Sequence, residues 1–382
     1  FEEMYKDRVR DFTTSLAFSH ATSSVFDYTG NKEPLFLSRG AVEKNLSHED
    51  LNENPFEIDN SIPKNKKSLA VKVATMSAVK KALSAGADYV YLGAEVSPVR
   101  GEGWTKEDLQ DAVDMAHDMG RKIAYGTPRI CTSRELSEIE WLFDIGSRVG
   151  VDGILVHNLG AIHCAKQFDL DMFADFSFNI LNTGSIEMLE KLGVKRITSS
   201  IESSFNDLNK LARDSTLPVE SIVHGSLPSM LLEHCLPAML VTKTNAKSGC
   251  RLPCRYINYA LKDEKGEVRT IEVDQYCRNH IMFASDLCVL PYLNSFLMTD
   301  VDMFRIEAQY YEDDLVETVV NQYRKRMDLL MENPSVFCPL PEAEWNNLVV
   351  KSPKGLSLCA YSQNVTHSRS TLEVMKKATQ TN

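Results

Sequence analysis

The chain has 382 residues, of which 43% are hydrophobic and 25% charged, a balance typical of globular domains. This composition excludes an intrinsically disordered protein, a collagen-like protein and a small disulfide scaffold. The net charge of −11 weighs against a protein that binds nucleic acid mainly through phosphates, but it leaves room for a local site that binds one base.

The N-terminal sequence, FEEMYKDRVRDFTTS, is charged and lacks the apolar core of a signal peptide. No apolar run approaches the ~20 residues that cross a bilayer. We therefore expect no membrane span, a cytoplasmic location, and cysteines that are reduced thiols or metal ligands. Because Phe1 is not an initiator Met, we expect a fragment, a processed chain or part of a longer one.

Residues 1–67 are irregular, polar and rich in Asn, and we interpret them as an N-terminal extension. From residue 68 onward, short apolar runs alternate with amphipathic segments. The predicted strands lie at 69–74, 87–96, 122–130, 151–158, 172–181, 194–200, 218–226 and 302–310. The predicted helices lie at 77–86, 105–120, 134–150, 159–168, 183–193, 204–214 and 313–330. Several of these helices end at a glycine, the residue that most easily closes a helix in a left-handed conformation.

Strands that alternate with helices over short connections indicate parallel strands joined by right-handed crossovers. We predict an α/β fold, a (β/α)8 TIM-like barrel over 68–330. A Cys-rich, metal-binding insertion at 226–301 precedes the last strand, and residues 331–382 form a C-terminal surface tail. The alternative is an open doubly wound sheet, which is less favoured because no Gly-rich phosphate fingerprint follows the first strand.

In such a barrel, catalytic groups lie at the C-terminal ends of the strands. The polar residues predicted at these positions are Glu95, Arg129, His157, Asn158, Asp175, Asn179, Asn182, Glu202, His224 and Glu307. A polar residue there often only caps the next helix, and Asn182 before Thr-Gly-Ser is a clear example.

Five of the nine cysteines lie in the predicted insertion: Cys235, Cys250, Cys254, Cys277 and Cys288. Thiolates are soft ligands that select zinc, copper(I) or iron–sulfur clusters. A structural zinc site usually has two close cysteine pairs, whereas this segment has one, in the turn from Cys250 to Cys254. A four-cysteine iron–sulfur cluster fits this spacing at least as well, and both metals remain open.

Basic residues stand beside this turn: Lys243, Lys247, Arg251 and Arg255. They form either a solvated basic face or a clamp for a carboxylate or phosphate, for which Arg is well shaped.

Several motifs together are specific: SAGADYVYLGAEV (84–96), VDGILVHNLGAI (151–162), DFSFNILNT (175–183), VHGSLPSMLLEHC (223–235), SDLC (285–288) and FRIEAQY (304–310). Over about 66–330 the sequence resembles the collagenase-like peptidase family U32, and in particular the C-terminal module of its long members. The resemblance implies a barrel with a 4Fe-4S cluster that supports oxygen-independent hydroxylation. Prephenate would be the oxygen donor, and the substrate would be an RNA base or an aromatic quinone precursor.

By this resemblance, Cys235, Cys250 and Cys254 would be cluster ligands, with Cys277 as the first choice for the fourth ligand and Cys288 as the second. Zinc is the alternative cofactor. Where relatives often have Glu-Gly-Arg, this chain has Glu307, Ala308 and Gln309. A carboxylate-binding Arg is therefore missing, which counts against prephenate.

We assign the remaining candidates by chemistry. His224, Asp175, Asn179 and Glu202 would orient the substrate or move protons. The substrate-binding candidates are Arg129, Asn158, Arg251, Arg255 and Glu307.

One alternative to an enzyme of this kind is a metal-stabilised binding module without catalysis, paired with another module of the same family. A peptidase is the other, although neither a GxSxG elbow nor an HExxH motif is present.

Overall fold

A computed structural model describes residues 45–52, 54–56, 67–95, 103–242, 249–262, 266–332 and 339–362. Eight parallel strands close into a barrel, because the last of them pairs with both the first and the seventh. The predicted (β/α)8 barrel is confirmed, and the open-sheet alternative is wrong.

The barrel strands are β1 (Ser68–Val73), β2 (Tyr89–Leu92), β3 (Lys122–Gly126), β4 (Ile154–Val156), β5 (Met172–Ala174), β6 (Val194–Thr198), β7 (Val219–Gly225) and β13 (Met303–Glu307). The outer helices are α1 (Met76–Ser84), α2 (Lys106–Asp118), α3 (Leu136–Val149), α4 (Leu159–Ala165), α5 (Thr183–Lys191), α6 (Phe205–Asp214) and α9 (Asp313–Glu332). None of the helices in the described ranges is long and apolar enough to cross a membrane.

Local sequence sets where these helices begin and end. Thr105 and Asp108 form a reciprocal capping box at the start of α2, and Asn182 accepts a hydrogen bond from the Ser185 backbone N–H at the start of α5. Gly150 ends α3 with a φ of 81°, a conformation that costs other residues free energy. Asn182 is thus a helix cap, which is its simpler interpretation.

The residues between β7 and β13 form a second, antiparallel sheet in the order β8-β11-β10-β9. Its elements and those beside it are β8 (Pro228–Leu232), α7 (Leu236–Leu240), β9 (Tyr259–Lys262), β10 (Val268–Val273), β11 (Asn279–Met282), β12 (Asp286–Cys288) and α8 (Leu293–Leu297). The turn between β10 and β11 contacts the mouth of the barrel, where the Gln275 amide donates to the Ala94 carbonyl at 2.6 Å. We call residues 274–278 the mouth turn.

The described part of the predicted C-terminal tail is folded. It contains α10 (Glu342–Lys351) and β14 (Leu356–Ser357), and β14 pairs in parallel with β12. Trp345, Leu348 and Tyr361 are buried, so these residues contribute apolar surface to the core. Residues 363–382 lie outside the described part of the chain, as do 1–44 of the predicted N-terminal extension. Within that extension, Phe56 packs against Phe205 with ring centroids 4.4 Å apart.

The closure of the barrel leaves no room for a side chain at Gly225. This residue has a φ of 129°, and a Cβ there would lie 2.2 Å from the carbonyl oxygen of Glu307 on β13. We predict that Gly225→Ala lowers the free energy of unfolding by at least about 3 kcal/mol, because it combines backbone strain with overlap against backbone atoms. Urea denaturation measures the loss.

The matched control is Gly120→Ala. Gly120 also has a positive φ, 64°, but a Cβ there meets nothing within 4 Å. Its expected cost is about 1 kcal/mol, from backbone strain alone. Equal losses in the two variants would contradict the steric argument.

Candidate active site

The interior of the barrel is organised around one buried arginine. Arg305, on the closing strand β13, is fully buried. Its guanidinium lies 2.5 Å from Asp175 Oδ1, 2.8 Å from Glu220 Oε1 and 2.8 Å from Glu307 Oε1. The planar guanidinium presents five N–H donors, which suits simultaneous contact with several carboxylates. Side chains from three parts of the barrel therefore converge on one cation.

The floor of this network is closed by aromatic side chains. The Tyr91 hydroxyl donates to Glu220 at 2.5 Å, and the Arg196 guanidinium lies 3.8 Å from the centroid of the Phe173 ring. Tyr89 and Met303 belong to the same buried cluster. The C-terminal ends of the strands lie on the opposite side, which is where the active sites of barrels of this type are found.

Lys72, on β1, has longer contacts to carboxylates than the other cations at the barrel mouth, Arg129 and Arg305. Its ammonium lies 3.7 Å from Asp175 and 4.0 Å from Glu307, beyond ordinary hydrogen-bond distance. Gln309 lies nearby: a Cβ added at Gly93 would come within 2.7 Å of Gln309 Oε1 and 3.7 Å of Lys72 Cε. Within the described residues, Gln309 Oε1 is buried without a hydrogen-bond partner. The Lys72 ammonium and the unpaired Gln309 Oε1 therefore lie close together at the mouth.

His157 and Asp175 form an acid–base pair at the ends of β4 and β5. His157 Nε2 lies 3.0 Å from Asp175 Oδ2, and Nδ1 lies 2.9 Å from the Ser177 hydroxyl. Burial lowers the pKa of His157, and the attraction of Asp175 does not fully offset it. Burial also opposes ionisation of Asp175, but Arg305, His157 and Lys72 outweigh it and hold its pKa well below the usual range. At neutral pH the pair is an imidazole beside a carboxylate.

A second chain of polar groups crosses from the barrel to the mouth turn. Glu95 accepts hydrogen bonds from the backbone N–H of Arg129 at 2.8 Å and from its Nε at 3.2 Å. Arg129 Nη2 lies 2.6 Å from His280 Nδ1, and His280 Nε2 lies 3.1 Å from Asp274 Oδ2. Burial opposes ionisation of Glu95, but Arg129 and the nearby histidines lower its pKa to about 2. The Asn158 amide donates to the Arg129 carbonyl at 3.3 Å and so helps to hold this residue.

Glu95, Asp274 and His280 have the composition of a cation site, since their ligand atoms lie within 4.8 Å of one another. The Arg129 guanidinium already contacts both Glu95 and His280. A divalent cation would have to displace this positive charge. We therefore assign the group as a hydrogen-bonded chain.

The mouth turn connects this chain to the cysteines. Asp274 Oδ1 accepts hydrogen bonds from the backbone N–H groups of Tyr276 and Arg278 at 2.9 and 2.8 Å. The Cys277 N–H donates to the Asp274 carbonyl at 3.0 Å. One residue, Asp274, thereby fixes both the position of Cys277 and a contact of His280.

Four cysteines lie close enough to influence one another electrostatically. Burial raises the pKa of Cys277 to about 11, with added repulsion from Cys235, Cys254 and Cys250. The pKa of Cys254 is raised by burial and by Cys235 and Cys250. Cys288 lies elsewhere, in β12, where burial raises its pKa to about 12. The first-choice set of four predicted from the sequence is thus brought together, and Cys288 is not part of it.

The backbone around these cysteines is unusual. Arg251, Leu252 and Cys277 have positive φ angles of 57°, 48° and 64°. Such conformations cost about 1–3 kcal/mol for residues other than glycine, and they concentrate at functional sites. Three residues with positive φ lie on the two turns that carry Cys250, Cys254 and Cys277. This marks the two turns as a candidate functional segment.

The other sequence candidates have different surroundings. His224 packs against Tyr311 and Tyr323, with ring centroids 6.0 and 5.4 Å away, so it faces the outer helix α9. Its ring nitrogens have no partner in the described residues, and burial lowers its pKa to about 3. Asn179 and Glu202 are exposed. Of the four predicted catalytic residues, only Asp175 joins the interior network.

The predicted substrate-binding residues also fall into two groups. Arg129, Asn158 and Glu307 lie at the mouth, whereas Arg251 and Arg255 are exposed on the turn that carries Cys250 and Cys254. The sequence reasoning placed His157 at a strand end without giving it a role, and it did not select several other residues of the site, namely Lys72, Glu220, Asp274, His280 and Arg305. Lys72 and Glu220 could have been found from the sequence, since each is the only charged residue within a predicted buried strand.

Comparisons with known proteins show what the chain is similar to. The model of peptidase family U32 matches residues 74–357. The chain is 26% identical over 67% of its length to an uncharacterized protease of Methanocaldococcus jannaschii. It is 24% identical over 66% of its length to a 23S rRNA 5-hydroxycytidine synthase of Escherichia coli. It is 23% identical over 70% of its length to tRNA hydroxylation protein P of Helicobacter pylori.

The chain spans only part of each of these relatives. It covers 64% of the M. jannaschii protein, 38% of the E. coli enzyme and 66% of the H. pylori protein.

Arg305 provides a direct test of the interior network. We predict that Arg305→Met lowers the free energy of unfolding at pH 7 by about 3–5 kcal/mol, because its three carboxylate partners stay buried without their cation. The lowered pKa of Asp175 contributes stability above its unfolded pKa of about 3.9, and this is lost as pH falls further. The difference in unfolding free energy between variant and wild type should therefore narrow below about pH 4, as measured by urea denaturation between about pH 7 and about pH 2.

Arg148→Met is the control for this experiment. Arg148 pairs with Asp144 one turn away on the exposed face of α3, and such pairs contribute about 0.3–0.5 kcal/mol. A comparable loss at both arginines, or a gap that widens in acid, would contradict the assignment of Arg305.

Proposed function

Since the chain belongs to peptidase family U32, we propose that it is an iron–sulfur enzyme that hydroxylates an RNA base without molecular oxygen. The observation that carries the proposal is the mouth turn, where Asp274 joins Cys277, one of the four neighbouring cysteines, to the charged residues at the barrel mouth. The rRNA synthase and the tRNA hydroxylation protein among its relatives support RNA as the substrate. An aromatic quinone precursor is the alternative substrate.

The cofactor in this proposal is a 4Fe-4S cluster held by Cys235, Cys250, Cys254 and Cys277. Thiolates are ligands for both an iron–sulfur cluster and zinc. One close pair, Cys250 and Cys254, suits a four-cysteine cluster at least as well as a structural zinc site, which usually has two close pairs. Zinc is the alternative cofactor.

When bound, such a cluster supplies one-electron redox chemistry beside the barrel mouth. The chain's own residues would supply the rest. His157 is neutral at pH 7 because burial lowers its pKa, and Asp175 orients its Nε2. Because Nε2 contacts Asp175, Nδ1 is the nitrogen that would accept the proton leaving the ring carbon, by way of the Ser177 hydroxyl 2.9 Å away. His157 would thus act as a general base.

The oxygen donor in the proposal is a small carboxylate that carries a hydroxyl, such as prephenate. Its C–OH bond would break as the C–O bond to the base forms, so that the donor carbon would take up a proton and the two electrons that the base loses. Lys72 would bind the donor's carboxylate, since this ammonium makes no contact shorter than 3.7 Å to Asp175 or Glu307. Gln309 Oε1, buried without a partner in the described residues, would accept a hydrogen bond from a hydroxyl or ring N–H. Lys72 and Gln309 would together replace the carboxylate-binding Arg that relatives often have in this strand.

A metal-stabilised binding module is the second candidate. Arg305 and Arg129 already contact the chain's own carboxylates. Because these arginines are occupied, they offer little to a substrate, which favours a binding module. The two candidates differ in one measurable outcome. Only the enzyme adds oxygen to a nucleoside when it is incubated anaerobically with RNA and prephenate.

We predict that the anaerobically purified wild-type chain is brown and contains about four iron and four sulfide per chain. The double variant Cys250→Ala/Cys254→Ala should lose iron, visible absorbance and RNA hydroxylation together. Metal analysis, visible spectroscopy and mass spectrometry of digested RNA nucleosides measure the three quantities. Zinc in place of iron, or hydroxylation that survives without iron, would refute the proposal.

Cys277→Ala and Cys288→Ala form a matched pair within this experiment. Cys277 lies near the other three cysteines, whereas Cys288 is buried in β12. The Cys277 variant should lose iron or bind an altered cluster, and the Cys288 variant should keep the wild-type spectrum. The reverse result would reassign the fourth ligand.

The acid–base pair provides a separate prediction. His157→Gln and Asp175→Asn should each reduce the hydroxylation rate by about 10²- to 10⁴-fold, the usual contribution of general acid–base catalysis. Iron content should stay at the wild-type level, because neither side chain is a proposed ligand. His163→Gln, on the exposed face of α4, is the control and should retain activity. Full activity in the His157 variant would remove it from the mechanism.

A further inference from the structure

The turn that carries Cys250 and Cys254 has two distinct faces. The backbone reverses through Gly249, Arg251 and Leu252, all with positive φ, into the short helix Pro253–Arg255. This places both cysteine side chains on the buried face. The outer face exposes Arg251, Arg255 and the residues from Tyr256 to Asn258.

The charge of this segment differs from that of the whole chain. The stretch 249–262, GCRLPCRYINYALK, contains three basic residues and no acidic residue, within a chain of net charge −11. In the part of the chain that the structure describes, neither Arg251 nor Arg255 takes part in an ion pair. The outer face is therefore a local positive surface that complements a polyanion.

The same surface presents an aromatic ring to solvent. Tyr256 is 83% exposed, and Ile257 beside it is 53% exposed. An exposed tyrosine next to arginines is the arrangement that binds single-stranded nucleic acid, because each base offers a face for stacking and each phosphate a charge for Arg. An acidic protein would engage the arginines but gains less from a lone exposed ring.

We propose that the outer face of residues 251–257 binds single-stranded RNA. Tyr256 stacks on a base, and Arg251 and Arg255 bind the flanking phosphates. The inference rests on the RNA substrate proposed above and names where that substrate is held. Because the turn carries Cys250 and Cys254 on its other face, the bound strand lies next to the residues assigned to the cluster.

Fluorescence anisotropy of the iron-loaded protein with a short, unstructured, labelled oligouridine tests this inference. Tyr256→Ala should weaken binding about tenfold through lost stacking, whereas Tyr256→Phe should bind as the wild type does. Arg251→Ala/Arg255→Ala should weaken binding and reduce the slope of log affinity against log salt by about 1.4, that is about 0.7 for each lost phosphate contact.

Trp141→Ala is the matched control, because Trp141 is another exposed aromatic residue, 54% exposed on α3. It should bind the oligouridine with wild-type affinity. Iron content and melting temperature confirm that every variant is folded. Wild-type affinity in both the Tyr256→Ala and the double arginine variant would overturn the inference and leave an acidic protein as the partner.

The outcome also separates this inference from the proposed function. If binding depends on Tyr256 and the arginines but no hydroxylated nucleoside forms, the RNA surface stands and the enzyme activity fails. If hydroxylation proceeds while all variants bind oligouridine equally, the activity stands and the RNA surface is rejected.

Discussion

The convergence of three carboxylates on the buried Arg305 is the interaction on which the rest of the site depends. It joins the end of β5, the start of β7 and the end of β13 at one point. A buried charge network of this kind is strongly destabilised when one partner is removed, so it constrains the geometry of the strands that supply it. These contacts also occupy the Arg305 guanidinium. Lys72 is therefore the cation with the weakest contacts at the mouth.

The barrel could be predicted from sequence because alternating strands and helices, closed by glycines, are local signals. The position of His224 could not. The pairing of β7 with β13 shifts register between Arg305 and Ile306, so that Ile306 faces His224 where regular pairing would give Val223. A shift of one residue moves a side chain to the other face of a strand. His224 consequently packs on the helix layer, although simple alternation places it with Glu220.

The candidate site could be predicted only in part, because its residues are distant in sequence and come together only through tertiary contacts. Asp175, Arg129 and Glu307 stand at strand ends, where the fold class directs attention. His280 and Asp274 come from the inserted sheet, and nothing in their local sequence indicates that they reach Arg129. The family resemblance ranked Cys277 first and Cys288 second without a positional reason. The structure distinguishes them by position, since Cys277 lies in the mouth turn and Cys288 lies in the core.

The order of elements along the chain has a consequence for biosynthesis. All four clustered cysteines precede β13, the strand that closes the barrel. During synthesis they leave the ribosome before Arg305 does. The inserted sheet therefore emerges while the barrel is still open, and the charged interior is completed only afterwards. If the proposed cluster binds these cysteines, its insertion and the closure of the barrel can be separate events in the life of the chain.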